Sequence, residues 1–273
     1  MTDLIEIAET KISNSNKLTI IAGLNVLEDD QQTLEVAEKL KKIIESQGNP
    51  FIFKASFDKA NRSSVDSYRG PGLEKGLDIF KELKKSGYQL ITDIHEISQV
   101  EKISEVIDII QIPAFLCRQT DLIKEACRAS KPLNIKKGQF LSPDQMKNII
   151  EKCNNFGNDQ VMLCERGTSF GYDNLIVDML GMSKLKSFNC PVVFDVTHSL
   201  QLPGQGKTAA GGRGDQAEYL AKAGVSLGIA GLFIEVHPNP EKALCDGPSA
   251  TPLHEFESLL EKVNAVDQAV KGL

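Results

Sequence analysis

Short apolar runs recur along this chain, each followed by a stretch of helical periodicity, and that repetition constrains the fold most strongly. Strands are expected at Leu18–Gly23, Phe51–Phe53, Gln89–Ile94, Asp108–Ile112, Leu133–Ile135, Gln160–Cys164, Pro191–Val196 and Gly231–Val236. Helical patterns follow them in turn. The first runs through Leu34, Ala37, Leu40, Ile43 and Ile44, and the second through Leu73, Leu77, Phe80 and Leu83. The third carries Val100 and Ile103, the fourth spans about Asp121 to Ala129, and the fifth opens at Ser142-Pro143 with Gln145 placed for a capping box. The sixth is read through Leu175, Ile176, Met179 and Leu180, the seventh through Ala217, Leu220 and Ala221, and the last through Leu253, Phe256, Leu259, Leu260 and Val263. The repeat length is roughly thirty residues, that of a strand–helix–strand unit.

Strands apolar on both faces belong to a parallel sheet covered by helices. Eight such units close most naturally into a single eight-stranded parallel βα barrel, of α/β class. An open doubly wound sheet is the alternative, but no Gly-x-Gly-x-x-Gly follows the first strand. No linker divides residues 1–273. Residues 1–16 read as a short N-terminal extension, in which Leu4–Ile12 suggests a small strand pair under the barrel.

The formal net charge of -6 argues against general affinity for nucleic acid or anionic membranes. No apolar run approaches the roughly 18 residues of a membrane span. Met1–Lys11 lacks the basic and apolar regions of a signal peptide. Six cysteines without a Cys-x-x-Cys pair read as reduced, mostly buried thiols of a cytoplasmic protein.

Polar residues stand at the carboxyl end of nearly every expected strand: Asn25, Lys54, Asp93 with His95, Gln111, Lys136, Arg166, Asp195 with His198, and Glu235 with His237. In a βα barrel those ends share one rim, where the active site lies. Lys54, Lys59, Arg62, Arg118, Lys136, Lys137 and Arg166 give that rim a local excess of cations in an acidic chain. Such a mouth suits a polyanion: two phosphorylated substrates, or a phosphate and a carboxylate. His198, Glu235 and Asp246, with Asn25 beside them, could hold a divalent metal or form a network that orients water. A neutral amide is a weak ligand for a transition metal, which favours the network. The glycine-rich segment Pro203–Gly214 could clamp a phosphate or act as a lid.

The motif Lys54-Ala-Ser-Phe-Asp-Lys59-Ala-Asn61-Arg62-Ser63-Ser64 carries a family resemblance. It is joined by Thr92-Asp93-Ile94-His95-Glu96, Gln111-Ile-Pro-Ala-Phe115, Arg118-Gln119-Thr120-Asp121 and Asn134-Ile-Lys136-Lys137. Arg166-Gly167, Phe170-Gly-Tyr-Asp-Asn174, Asp195-Val-Thr-His198-Ser199 and Cys245-Asp246-Gly247-Pro248 complete the set. Over almost its whole length the chain resembles the 3-deoxy-8-phosphooctulonate synthases.

The resemblance implies condensation of phosphoenolpyruvate with arabinose 5-phosphate and water, for lipopolysaccharide synthesis. It implies that Lys54, Lys59, Gln111, Lys136 and Arg166 hold phosphoenolpyruvate. Asn61, Arg62, Ser63 and Asp93 would hold the sugar phosphate, partly from a neighbouring subunit of a homotetramer. Asn25, Lys136, His198, Glu235 and Asp246 are the implied catalytic set. One class in this family binds a divalent metal through cysteine, histidine, glutamate and aspartate; Asn25 in place of the cysteine implies the class that needs no metal or other cofactor. The rival readings are condensation with erythrose 4-phosphate, a Schiff-base aldolase using Lys54 or Lys136, and a non-catalytic sugar-phosphate-binding barrel.

Overall fold

The computed structural model describes residues 2–204 and 211–272. Eight parallel strands close into a barrel: β1 (Thr19–Gly23), β2 (Phe51–Lys54), β3 (Leu90–Asp93), β4 (Ile109–Ile112), β5 (Leu133–Lys136), β6 (Val161–Glu165), β7 (Val192–Asp195) and β8 (Gly231–His237). Each pairs with the next in sequence. Gly231 of β8 pairs with both Val193 of β7 and Thr19 of β1, which closes the ring. The helices are α1 (Asp30–Ser46), α2 (Leu73–Lys85), α3 (Val100–Ser104), α4 (Thr120–Arg128), α5 (Met146–Asn155), α6 (Met179–Lys186), α7 (Ala217–Val225) and α8 (Leu253–Lys271). The one-turn segment Val196–Ser199 and several 3-10 turns lie between them.

Strand side chains alternate between two faces, and here each face has its own core. Ile20, Phe53, Leu90, Ile110, Leu133, Leu163, Phe194 and Leu232 point outward and pack with the helix layer. Ile21, Ile52, Ile91, Ile109, Met162, Cys164, Val193 and Phe233 fill the interior. The hairpin Leu4–Ile7 with Thr10–Ser13 adds Ile5, Ile7 and Ile12 to that inner cluster and plugs the barrel at its amino end. The strand pair expected there is therefore present.

The same alternation builds the site. Two residues above an inward Ile52, Ile91, Ile109, Cys164, Val193 or Phe233 stands Lys54, Asp93, Gln111, Arg166, Asp195 or Glu235. The interior is apolar at its base and charged at its top.

The capping box expected at Ser142 and Gln145 is formed. The sixth helix departs from expectation. Leu175–Ile176 is extended and pairs with Thr168–Ser169, and α6 begins only at Met179, where Asp178 accepts from Gly181 N at 2.9 Å. Leu180 is 82% exposed, so it is not part of an inward helical stripe. The described cysteines are all buried and unpaired. No helix among the described residues is long and apolar enough to cross a membrane. The glycine-rich segment falls partly outside the described residues, including Gln205 and Lys207.

Candidate active site

A cleft of about 390 Å³ opens at the carboxyl ends of the strands. Lys59, Asn61, Arg62, Ser63, Asp93, Gln111, Lys136, Arg166, His198 and Asp246 all line it. Asn25, Lys54 and Glu235 are buried behind the lining and bonded to it or to each other.

Lys136, at the top of β5, is held by Asp195 at 2.5 Å and stands 4.1 Å from the centroid of Phe233. Lys54, at the top of β2, is 2.5 Å from Glu235 Oε1 and donates to the carbonyl of Asn25 at 2.9 Å. Burial lowers the Lys54 pKa to about 8, more than Glu235 restores. Burial works in the opposite sense on Glu235, but the Lys54 ammonium, with His198 and Lys59, outweighs it and lowers that carboxyl to about 2. Burial opposes charge on Lys59 too, yet Asp93 and Glu235 raise its pKa on balance. Asp93 shows the converse: burial is overcome by Lys59 and by the His95 hydrogen bond, and its pKa falls well below the usual carboxylate value. His95 Nε2 lies 3.1 Å from Asp93 Oδ2, and Ser56 donates to the other carboxylate oxygen.

His198 follows β7 on its one-turn helix. Its Nδ1 is 2.8 Å from Asp195 Oδ2. Burial lowers the His198 pKa although Asp195 opposes the shift. A neutral ring beside a carboxylate keeps its proton on Nδ1, which leaves the Nε2 lone pair available. Gln111 accepts from Asn134 Nδ2 at 3.0 Å, so its amide donors remain for the cleft. Arg166 donates through Nη2 to Gln201 Oε1 at 2.7 Å, while its buried Nη1 has no protein partner. Asp246 sits in the left-handed region, with φ of 51°. Its Oδ2 accepts from Asn25 Nδ2 and from Gln201 Nε2, each at 3.0 Å.

A model of the DAHP synthetase I family matches residues 4–272 of the chain. The 2-dehydro-3-deoxyphosphooctonate aldolase of Glaesserella parasuis serovar 5 (strain SH0165) is 53% identical over 271 residues, covering 98% of this chain and 95% of its own. The like-named protein of Pasteurella multocida (strain Pm70) is 54% identical over 271 residues, with the same coverage. That of Shewanella halifaxensis (strain HAW-EB4) is 52% identical over 270 residues, covering 98% and 96%. This chain belongs to the DAHP synthetase I family.

Three cations expected on the rim do not line the cleft: Lys54 is buried behind it, and Lys137 and Arg118 lie elsewhere. Lys137 has the opposite strand parity to Lys136 and faces the helix layer. There it pairs with Glu165 at 3.5 Å and donates to Thr168 Oγ1 at 3.0 Å. Glu165 Oε1 accepts from the backbone N–H groups of Arg166 and Gly167, at 2.9 and 2.7 Å. The Lys137–Glu165 pair thus pins the turn that carries Arg166 from behind. Arg118 lines a separate pocket of about 260 Å³ with Gln145, Asn148 and Lys152.

Gln201 is a cleft residue that the sequence did not single out. Its only sequence signal was a position three residues past His198, in the loop after the seventh strand. Asp195 was seen at a strand end, but its role as the shared anchor of Lys136 and His198 emerges only from the packing.

The metal-binding class of the family sets a test of fit. Here the Asn25 amide donates to both Glu235 and Asp246, and the Lys54 ammonium neutralises Glu235. At the Asn25 position, between the two carboxylates, donor hydrogens stand where a metal would need a lone pair. Among the described residues no group of three or more His, Cys, Asp and Glu side chains is arranged to hold a metal.

Proposed function

We propose that this chain condenses phosphoenolpyruvate with D-arabinose 5-phosphate and water, giving 3-deoxy-D-manno-octulosonate 8-phosphate and inorganic phosphate. The product belongs to lipopolysaccharide biosynthesis. The observation that carries this reading is the buried cationic cleft, with Lys59, Lys136 and Arg166 converging on one cavity of an acidic protein. Relatives more than half identical over nearly the full length, named for the octulosonate phosphate, supply the substrate class.

The reaction requires a bond from C3 of phosphoenolpyruvate to the aldehyde carbon of the sugar. Water adds to C2 and loses a proton, and the aldehyde oxygen gains one. The resulting phosphohemiketal expels phosphate by carbon–oxygen cleavage and becomes a ketone. In this reading Lys59, Gln111, Lys136 and Arg166 hold the carboxylate and phosphate of phosphoenolpyruvate. The three cations stabilise the anions throughout, the Gln111 amide donates to them, and fixed orientation supplies much of the rate. Asn61, Arg62 and Ser63 take the sugar phosphate, and Asp93 takes a sugar hydroxyl. His198 and Asp246 orient the water and the aldehyde, with Asn25 and Glu235 holding Asp246 and Lys54 in place. Lys54 has the lowered pKa of a Schiff-base lysine, but it is 1% exposed and lies outside the cleft lining, which disfavours a covalent route.

The reading includes independence from metal, supported by the donor set around Asn25. It includes a cytoplasmic homotetramer, supported by apolar side chains left exposed on the loops around the cleft mouth. Val65 is 95% and Tyr172 96% exposed, and Phe115, Phe140 and Phe170 are exposed with them. Sedimentation equilibrium checks the assembly: a mass four times that of the chain is expected, and a monomer at micromolar concentration sinks that part.

The function is tested by turnover after treatment with EDTA, following loss of the enolpyruvate absorbance. Turnover with arabinose 5-phosphate, and none with erythrose 4-phosphate, is expected. Activity that vanishes and returns with added manganese or zinc overturns metal independence. A preference for erythrose 4-phosphate overturns the substrate.

A further inference from the structure

Gln201 spans the gap between Arg166 and Asp246. Its Oε1 accepts from Arg166 Nη2 at 2.7 Å, and its Nε2 donates to Asp246 Oδ2 at 3.0 Å. The partners fix the amide's orientation, because a guanidinium offers only donors and a carboxylate only acceptors. The backbone beneath is anchored. Gln201–Leu202 pairs antiparallel with Gly211–Gly212, and Arg213 N donates to Leu200 O at 3.0 Å.

Arg166 is buried, and Asp195 and Asp246 both act on it electrostatically. A direct Arg166–Asp246 ion pair would occupy the guanidinium and leave less of its charge for a ligand. The interposed amide is neutral. It satisfies Nη2 and leaves Nη1, buried and without a protein partner, for an incoming anion. On the other side it shares Oδ2 of Asp246 with Asn25, so Oδ1 is left for a water or hydroxyl.

We propose that Gln201 is a positioning residue that holds Arg166 and Asp246 oriented and apart, so that one side chain sets both the enolpyruvate site and the water site. This rests on the assignment of phosphoenolpyruvate to Arg166 made above.

The test uses the full chain and two variants. Gln201→Met keeps the volume and removes both hydrogen bonds. Gln201→Glu supplies the charge that the amide withholds, pairing with Arg166 outright and repelling Asp246. Calorimetric binding of phosphoenolpyruvate alone is measured first, then steady-state kinetics with both substrates. Gln201→Met is expected to weaken phosphoenolpyruvate binding by about ten- to a hundredfold, the fold-change of a lost hydrogen bond to a charged group. Its kcat falls as well, while its KM for arabinose 5-phosphate and its Tm stay at the wild-type values. Gln201→Glu is expected to bind phosphoenolpyruvate more weakly still.

Wild-type binding and turnover in Gln201→Met overturn the proposal. So does a Gln201→Glu variant that binds as tightly as the wild type. A loss of affinity for both substrates together with a lowered Tm also overturns it, since that is the signature of a structural role. Failure of the wild-type chain to turn over arabinose 5-phosphate, with the phosphoenolpyruvate affinities still in the expected order, removes the substrate assignment and leaves Gln201's role standing.

Discussion

Lys54 and Glu235 are each 1% exposed and 2.5 Å apart behind the cleft lining, and Asn25 is bonded to both of them. Removing two charges from water is costly, and breaking such a pair from one side strands the other charge. Lys54→Met is therefore expected to destabilise the protein by about 3–5 kcal/mol, measured by denaturant unfolding, and to abolish turnover because Asn25 and Asp246 lose their register. The wild-type enzyme carries its own signature of this lysine. With a pKa near 8, the ammonium loses its proton on mild alkalinisation. The kcat/KM for phosphoenolpyruvate is expected to fall with an apparent pKa of about 8; a profile flat to pH 10 sinks the idea. At this scale the sequence revealed residue types at strand ends. It did not reveal which would touch a ligand, because strand parity and side-chain partners decide that. Lys136 and Lys137 are neighbours in sequence with opposite destinations, and Gln201 owes its place to a loop whose path no periodicity encodes.

The elements were legible where packing leaves a periodic trace. Each barrel strand is a short apolar run because both its faces are buried, and each long helix shows its inward stripe. The sixth helix is shorter than its pattern suggests: Leu175, Ile176, Met179 and Leu180 have helical spacing, but Asp178 caps a helix that starts at Met179 and a two-residue ribbon takes the first pair. Close approach of strands is another feature invisible to apolar patterning. Gly23 ends β1 where a Cβ would lie 2.0 Å from the carbonyl oxygen of Lys54 on β2. That oxygen is backbone and cannot swing aside, so the strands must part to admit a methyl group. Gly23→Ala is expected to cost about 1–3 kcal/mol, as overpacking does. It should also lower kcat, because Asn25 and Lys54 both hang from the displaced segment. Thermal melting and steady-state kinetics check it, and a variant with wild-type Tm and kcat would show that β1 and β2 can separate freely.

Across the whole molecule, a chain of net charge -6 keeps its cations functional by burying carboxylates beside them. That arrangement ties folding to pH. Burial raises the carboxyl pKa values, but neighbouring basic side chains and their hydrogen bonds overcome it at three positions. Lys59 and His95 lower Asp93, His198 and Lys136 lower Asp195, and Lys54 lowers Glu235 to about 2. In the unfolded chain these groups return to ordinary values near 4, so the unfolded state binds more protons as acidity rises. Their contribution to stability is complete above about pH 5 and is lost as pH falls through the folded-state values. Glu165, raised by burial behind Lys137, works in the opposite sense but is one group against three. The Tm is accordingly expected to slip a little between pH 7 and 5, where the unfolded chain protonates His198 before the folded one does, and to fall steeply toward pH 3, with a weaker acid slope in Glu235→Gln. Because the three carboxylates are buried, the fall should persist in roughly half-molar salt, where exposed pairs such as Lys11–Glu6 are screened. A Tm that stays level to pH 3, or an acid slope that salt erases, would place the pH-sensitive charges on the surface rather than in the cleft.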